Sequence, residues 1–163
     1  FMTKPSDGPW YYQQIDLGYN YRMTDLQAAL GISQLQRIDE FVRRRHKLAA
    51  RYDESLKDLP VTLPWQDPDT YSAYHLYVLR LHLEQLQKTR KQIFEELRAA
   101  GINVNVHYIP VHTQPYYERL GFKVGDFPAA EEYYRAAITL PLYYSLSDEE
   151  QDYIVERLQA IIR

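Results

Sequence analysis

Between Thr24 and Pro60 the apolar residues Ala28, Ile32, Leu35, Val42, Leu48, Tyr52, Leu56 and Leu59 recur at helical spacing, and this run constrains the fold more than any other feature. Thr24 suits a helix cap, Gln27 completes a capping-box pattern, and Pro60 ends the run. A helix of that length would extend about 50 Å at roughly 1.5 Å per residue, enough to bridge two domains or lie along a subunit interface. Gly31 falls inside it, at a cost of roughly 1 kcal/mol relative to alanine. Close approach of another backbone would explain that glycine; simple tolerance is the alternative.

The flanks are of a different kind. Pro5, Gly8 and Pro9 exclude a helix over Phe1–Asp16, which reads as an extended lead-in, and the start at Phe1 reads as truncated or processed. Beyond Pro60, residues 61–72 read as a loop and Tyr74–Leu81 as a strand. A helix is expected over Leu86–Ala100 with Gly101 as its C-cap, then a short strand at Ile102–Val106. The segment 107–125 is loop-like, with a short helix near 115–120. A helix over about Pro128–Ala137 and a strand at Ile138–Leu140 follow. The last helix is capped by Ser147 and buries one face through Tyr153, Ile154, Leu158 and Ile161. Strands separated by helices predict an α/β (α+β) fold. Its sheet is small, of about three antiparallel or mixed strands packed with helices. Three regions result: a lead-in over 1–23, the long helix over 24–60, and a small α/β domain over 61–163.

Composition narrows the functional classes. With 163 residues, 45% hydrophobic and 25% charged, the chain can build a core. A net charge of -3 gives no support to bulk nucleic-acid binding. Arg43-Arg44-Arg45 reads as a solvated helix face, with a phosphate-binding patch as the alternative. No cysteine is present, so neither disulfides nor a Cys-based zinc site arises, which fits the cytoplasm. No apolar run approaches the roughly 20 residues of a membrane-spanning helix. The 16 tyrosines suit core edges, and some suit contacts with hydroxyl-rich ligands.

Most catalytic constellations are missing. There is no nucleophile elbow, Gly-rich dinucleotide loop or P-loop. The pairs Glu95-Glu96, Glu131-Glu132 and Glu149-Glu150 read as solvated helix faces, because adjacent helical residues diverge. His107 and His112 share a proline-containing loop without convergent acids, so no metal site is expected. With Tyr108, Gln114, Tyr116 and Tyr117 beside them, they better suit hydrogen bonds to a sugar or a carboxylate. The segment Asp16–Gly31 places Asn20 and Arg22 just before a capped helix, a weak hint of a phosphate site.

That segment resembles a signature of the nucleotide-sugar aminotransferases of the DegT/DnrJ/EryC1/StrS family. So do Ala73-Tyr74-His75-Leu76-Tyr77, Gly101-Ile102 followed by His107-Tyr108-Ile109-Pro110-Val111-His112, and Ile138-Thr139-Leu140-Pro141-Leu142 followed by Leu146-Ser147-Asp148-Glu149-Glu150. These motifs follow the family's order along almost the whole chain. Pro9-Trp10-Tyr11-Tyr12 and Thr113-Gln114-Pro115-Tyr116-Tyr117 are most similar to the branch making UDP-4-amino-4,6-dideoxy-N-acetyl-altrosamine, on the pseudaminic acid route.

The resemblance implies the C-terminal small domain of a fold-type-I enzyme dependent on pyridoxal phosphate (PLP), working as a homodimer. Such an enzyme moves an amino group from glutamate to a 4-keto-6-deoxy nucleotide sugar. By resemblance Asn20 reaches the PLP phosphate of the other subunit, with Tyr19 and Arg22 beside it. His107, Tyr108 and His112 face the substrate. No catalytic residue is expected here, because none of the six lysines, Lys4, Lys47, Lys57, Lys88, Lys91 and Lys123, stands in the family's Schiff-base context. The chain alone is therefore expected to be inactive and not to hold PLP. Two alternatives share the same motifs: a stand-alone module for dimerisation or nucleotide-sugar binding, and one half of a split enzyme. Exposed apolar surface on the long helix is expected to drive oligomerisation.

Overall fold

A computed structural model describes Tyr19 and residues 21–162. The lead-in over Phe1–Asp16, the Pro9–Tyr12 motif and Asn20 lie outside the described residues. The chain divides into two compact units, Phe1–Arg37 and Ile38–Arg163.

The first unit contains helix α1, Asp25–Leu35. The expected capping box is present: the Gln27 N–H donates to Thr24 Oγ1 (3.3 Å), and the Thr24 N–H donates to Gln27 Oε1 (2.9 Å). No residue of α1 is buried. A Cβ at Gly31 would meet no atom within 4 Å, so no neighbouring backbone among the described residues explains that glycine.

The run expected as one helix from Thr24 to Pro60 is two. Helix α2 starts afresh at Ile38 and ends at Leu56. The Arg37 N–H bonds back to Gln34 O (3.0 Å), a tighter step than the α-helical one, and Gln36–Arg37 form a turn. Asp39 and Glu40 then sit in the first turn of α2, where acids favour a new N-terminus.

The second unit is built on a three-stranded antiparallel sheet in the order β1 (Val61–Thr62), β2 (Tyr77–Leu81), β3 (Ala137–Leu140). Leu81 pairs with Val61, and Tyr77 with Leu140. The sheet has the expected size but a different third member. The strand expected at 102–106 is extended chain with a single bridge from Asn105 to Thr139, while β1 forms inside the expected loop. Ile102 and Val104 are buried all the same, which accounts for their alternating pattern.

Tyr77, Leu79, Leu81, Ile138 and Leu140 form the inner face of the sheet. They meet α2, α3 (Arg90–Ala99) and, beyond the short α4 (Pro115–Glu118) and α5 (Pro128–Ala136), α6 (Asp148–Ile162) in one core that includes Leu48, Tyr52, Leu56, Ile93, Leu97, Ile154 and Leu158. Among the described residues two tyrosines are fully buried, and both hydroxyls are satisfied. Tyr52 donates to Pro141 O (3.0 Å) and Tyr77 to Asp53 Oδ1 (2.6 Å). Burial pushes both phenols well above the ordinary tyrosine range.

Gly101, at φ +79°, ends α3 in a Schellman arrangement: its N–H bonds to Arg98 O and that of Ile102 to Leu97 O (both 3.0 Å). Ser147 and Glu150 cap α6 reciprocally, at 2.8 and 3.0 Å. Arg45 donates to the carbonyls of Tyr74 (2.9 Å), His75 (3.3 Å) and Leu142 (2.9 Å). It thereby ties α2 to the entry of β2 and the exit of β3.

Candidate functional site

The loop after Asn105 is fastened at both ends. At its start, Asn105 and Thr139 exchange backbone hydrogen bonds (3.2 and 2.8 Å). Thr139 is a buried polar residue on the outer face of the sheet, and its Oγ1 lies 2.8 Å from His107 Nδ1. The Asn105 amide nitrogen lies 3.5 Å from His107 Nε2. Tyr108 meets the His107 ring edge-on at 4.5 Å between centroids, and is 68% exposed. The strand thus holds the imidazole, and the imidazole supports a phenol that faces solvent. Such a pair offers both donor and acceptor capacity to a hydroxyl-rich or anionic ligand.

His112 is placed differently. It lies in a short 3-10 turn, Val111–Thr113, and is only 7% exposed. Its Nε2 is 2.8 Å from Glu131 Oε1, so the Nε2–H donates to the carboxylate. The same oxygen accepts the Gly125 N–H (2.7 Å), and Phe127 packs on the imidazole at 4.8 Å. The Gly125 and His112 hydrogen bonds hold the Glu131 carboxyl below its usual range. Glu131, on α5 (Pro128–Ala136), therefore latches the far end of the loop. Of the expected pair Glu131-Glu132, one member is this latch, not a solvated charge; Glu132 pairs with Arg135 (2.7 Å) on the surface.

In the first unit, Tyr19 and Tyr21 stack at 5.5 Å, and the Tyr21 N–H returns to Tyr19 O (2.8 Å). Arg22 is exposed two residues before the Thr24 cap. An exposed guanidinium beside a helix start is a donor set that suits a phosphate. Asp25 in the first turn works against an anion there. Among the described residues no three His, Asp or Glu side chains converge to hold a metal, and no helix is long and apolar enough to cross a membrane.

Residues 2–159 match the DegT/DnrJ/EryC1/StrS aminotransferase family. The chain belongs to this family. It is 40% identical over 161 residues to the spore coat polysaccharide biosynthesis protein SpsC of Bacillus subtilis, covering 97% of this chain and 41% of SpsC. Its fold matches Spr1654 from Streptococcus pneumoniae in the apo form, with a TM-score of 0.85 and 37% identity over 96% of this chain and 39% of that one. It also matches Helicobacter pylori PseC, an aminotransferase involved in the biosynthesis of pseudoaminic acid, with a TM-score of 0.85 and 29% identity, covering 96% of this chain and 42% of that one. The expected helix-and-sheet fold is therefore that of part of the fold-type-I PLP aminotransferases. The chain spans about two fifths of the length of these relatives.

Of the expected site residues, the fold brings His107 and Tyr108 into direct contact and sets His112 apart in the latch. Thr139, Asn105 and Glu131 complete the arrangement. The signal for Thr139 was a hydroxyl inside an otherwise apolar strand. Glu131 gave none, because its partner His112 lies 19 residues away in sequence and a Gly125 backbone N–H carries no side-chain signal.

Proposed function

We propose that the chain is the C-terminal portion of a PLP-dependent aminotransferase that transfers an amino group from glutamate to a 4-keto-6-deoxy nucleotide sugar. The full-span family match, together with coverage of only about two fifths of SpsC and PseC, carries this reading. Spr1654 has been solved in PLP and PMP forms, in keeping with PLP as the cofactor. As its branch we propose the one that makes UDP-4-amino-4,6-dideoxy-N-acetyl-altrosamine, on the Thr113-Gln114-Pro115-Tyr116-Tyr117 motif and the 30% identity to the Campylobacter jejuni transaminase of that name. When bound, PLP supplies the electron sink for amino transfer.

The chain's own residues bind and orient. Tyr19, Asn20 and Arg22 contact the cofactor phosphate of the partner subunit in a cytoplasmic homodimer. His107 and Tyr108 hydrogen-bond the nucleotide sugar, and His112 positions their loop through Glu131. Residues 1–23 carry the phosphate motif, α1 forms an interdomain or interface element, and α2 together with residues 61–163 forms the small domain. The Schiff-base lysine comes from the part of the enzyme outside these 163 residues. In keeping with that, Lys47, Lys57, Lys88 and Lys91 form surface ion pairs with Asp148, Glu54, Glu96 and Glu95. Positioning of this kind can supply several kcal/mol of barrier reduction but cannot replace an amine.

The test is turnover of glutamate and a UDP-linked 4-keto-6-deoxy-N-acetyl sugar by the full-length protein. Amino-sugar formation is expected, with His107→Ala and Tyr108→Phe each lowering kcat/KM by about tenfold or more, the scale of a lost hydrogen bond to a charged group. Turnover by the 163-residue chain alone, or undiminished activity in both variants, would contradict the assignment.

A further inference from the structure

The outer face of the sheet holds a cleft of about 350 Å³ between the loop after β1, strand β2 and helix α5. Leu76 and Val78 line it from the segment of β2, and Pro64 and Trp65 from the loop after β1. Arg80, Tyr133 and Thr62 supply its polar groups, and the Thr62 hydroxyl is already engaged by His82 Nε2 at 2.8 Å. Its size falls near the lower end of the range for small-molecule sites, about 300–1,000 Å³.

Three features are unusual together. Trp65 is 77% exposed. The Arg80 guanidinium makes no hydrogen bond or ion pair with another described residue. Hydrogen bonds from Arg135, then the charges of Arg135 and Arg80, hold the Glu132 carboxyl below its usual range, but both Glu132 oxygens bond Arg135 and not Arg80, just as Arg44 and Arg51 have acidic partners. The Tyr133 hydroxyl makes no hydrogen bond to another described residue either. Yet Arg80 lies close enough to Tyr133 to offset part of the rise that burial gives its phenol, so the cation and the phenol address the same space.

We propose that this cleft binds a pyranose carrying an anionic substituent, with a ring face against Trp65 and the anion on Arg80. A purely apolar occupant would cover Arg80 without pairing it, at the cost of desolvating a charge. A bare inorganic anion would leave the indole face unused. An unsubstituted aromatic acid would satisfy both but leave the Tyr133 hydroxyl without a partner. A sugar acid or sugar phosphate meets all three groups: apolar C–H faces for the indole, hydroxyls for the phenol, and a carboxylate or phosphate for the guanidinium. The cleft shares the outer face of the sheet with His107, since Val78 pairs with Thr139, but its lining residues are separate. The inference does not depend on the aminotransfer reading.

The 163-residue chain has two tryptophans, Trp10 and Trp65, so within it Trp10→Phe leaves Trp65 as the single indole reporter. In that background we would titrate glucose 1-phosphate, glucuronate, glucose and benzoate, following indole emission. Saturable changes are expected with glucose 1-phosphate or glucuronate, and comparing the two tells which anion is preferred. Glucose should bind about tenfold more weakly, and Arg80→Gln should remove the advantage of the anionic sugars. His107→Ala should leave the titrations unchanged, and circular dichroism should show both variants folded. The proposal is overturned if neither anionic sugar gives a saturable change, if glucose or benzoate binds as well as they do, if folded Arg80→Gln retains the preference, or if binding depends on His107.

Discussion

Helices α1 and α2 arise from one periodic run, yet they use their apolar residues in opposite ways. Helix α2 sorts them: Leu48, Ala49, Tyr52 and Leu56 are buried, while Arg43, Lys47 and Glu54 face solvent. Helix α1 does not. Leu26, Leu30, Ile32 and Leu35 are all exposed, and they point around the helix rather than along one stripe. Periodicity therefore identifies both as helices but does not say what covers them. A helix with large apolar residues exposed on several faces is stable only when covered, and we propose that the rest of the enzyme, or a second subunit, covers α1.

The largest expected contrast comes from truncating matched leucines. Leu48→Ala should destabilise the 163-residue chain by about 2–5 kcal/mol in urea unfolding, because it opens a cavity in the core. Leu30→Ala should change stability by no more than about 0.5 kcal/mol. Equal losses would mean α1 is packed within the chain and would break the contrast. In solution the exposed apolar surface of α1 should produce oligomers, and replacing Leu26, Leu30 and Ile32 with serine should shift the protein to monomer by light scattering. A monodisperse monomer before substitution would remove the argument for a missing partner.

A finer version uses two caps of the same chemistry. Ser147→Ala on α6 should cost about 1 kcal/mol of global stability, since α6 is part of the core. Thr24→Ala on α1 should instead speed local amide exchange without moving the global transition. A fall in global stability with Thr24→Ala would show that the two units unfold together.

The contact between α2 and α6 should also respond to acid. The Arg44 hydrogen bond (2.9 Å), followed by the charges of Lys47 and Arg51, holds the Asp148 carboxyl below its usual range. A carboxyl lowered in the folded state adds stability above its unfolded value, near pH 4. That contribution is lost as pH falls through the lower folded value. Asp148→Asn should flatten this part of the pH profile, and an unchanged acid limb would discount the pair.

What was legible in the sequence was local. The boxes Thr24/Gln27 and Ser147/Glu150 span three residues each, and Gly101 marks its own helix end, so all three are present as read. Non-local features were not legible. Val61–Thr62 is too short to show alternation and becomes a strand only by pairing with Arg80 and Leu81. The segment 102–106 alternates convincingly, yet its alternation reflects burial beside the sheet and not membership in it. The break at Gln36–Arg37 was masked by apolar spacing that continues across it, although Asp39 and Glu40 mark the new start. At the site, His107 and Tyr108 stood out through resemblance. Glu131 was hidden because a surface-like Glu-Glu pair gives no hint that one member accepts hydrogen bonds from His112 and Gly125.

We propose that Tyr19, Asn20 and Arg22 complete the aminotransferase site of a partner subunit. Mixing two impaired full-length variants tests it most directly: one with the Schiff-base lysine replaced, the other carrying Asn20→Ala with Arg22→Ala. Subunit exchange should restore amino-sugar formation, because one hybrid site receives its lysine from one subunit and intact Asn20 and Arg22 from the other. Verified heterodimers that remain as impaired as the separate variants would contradict it.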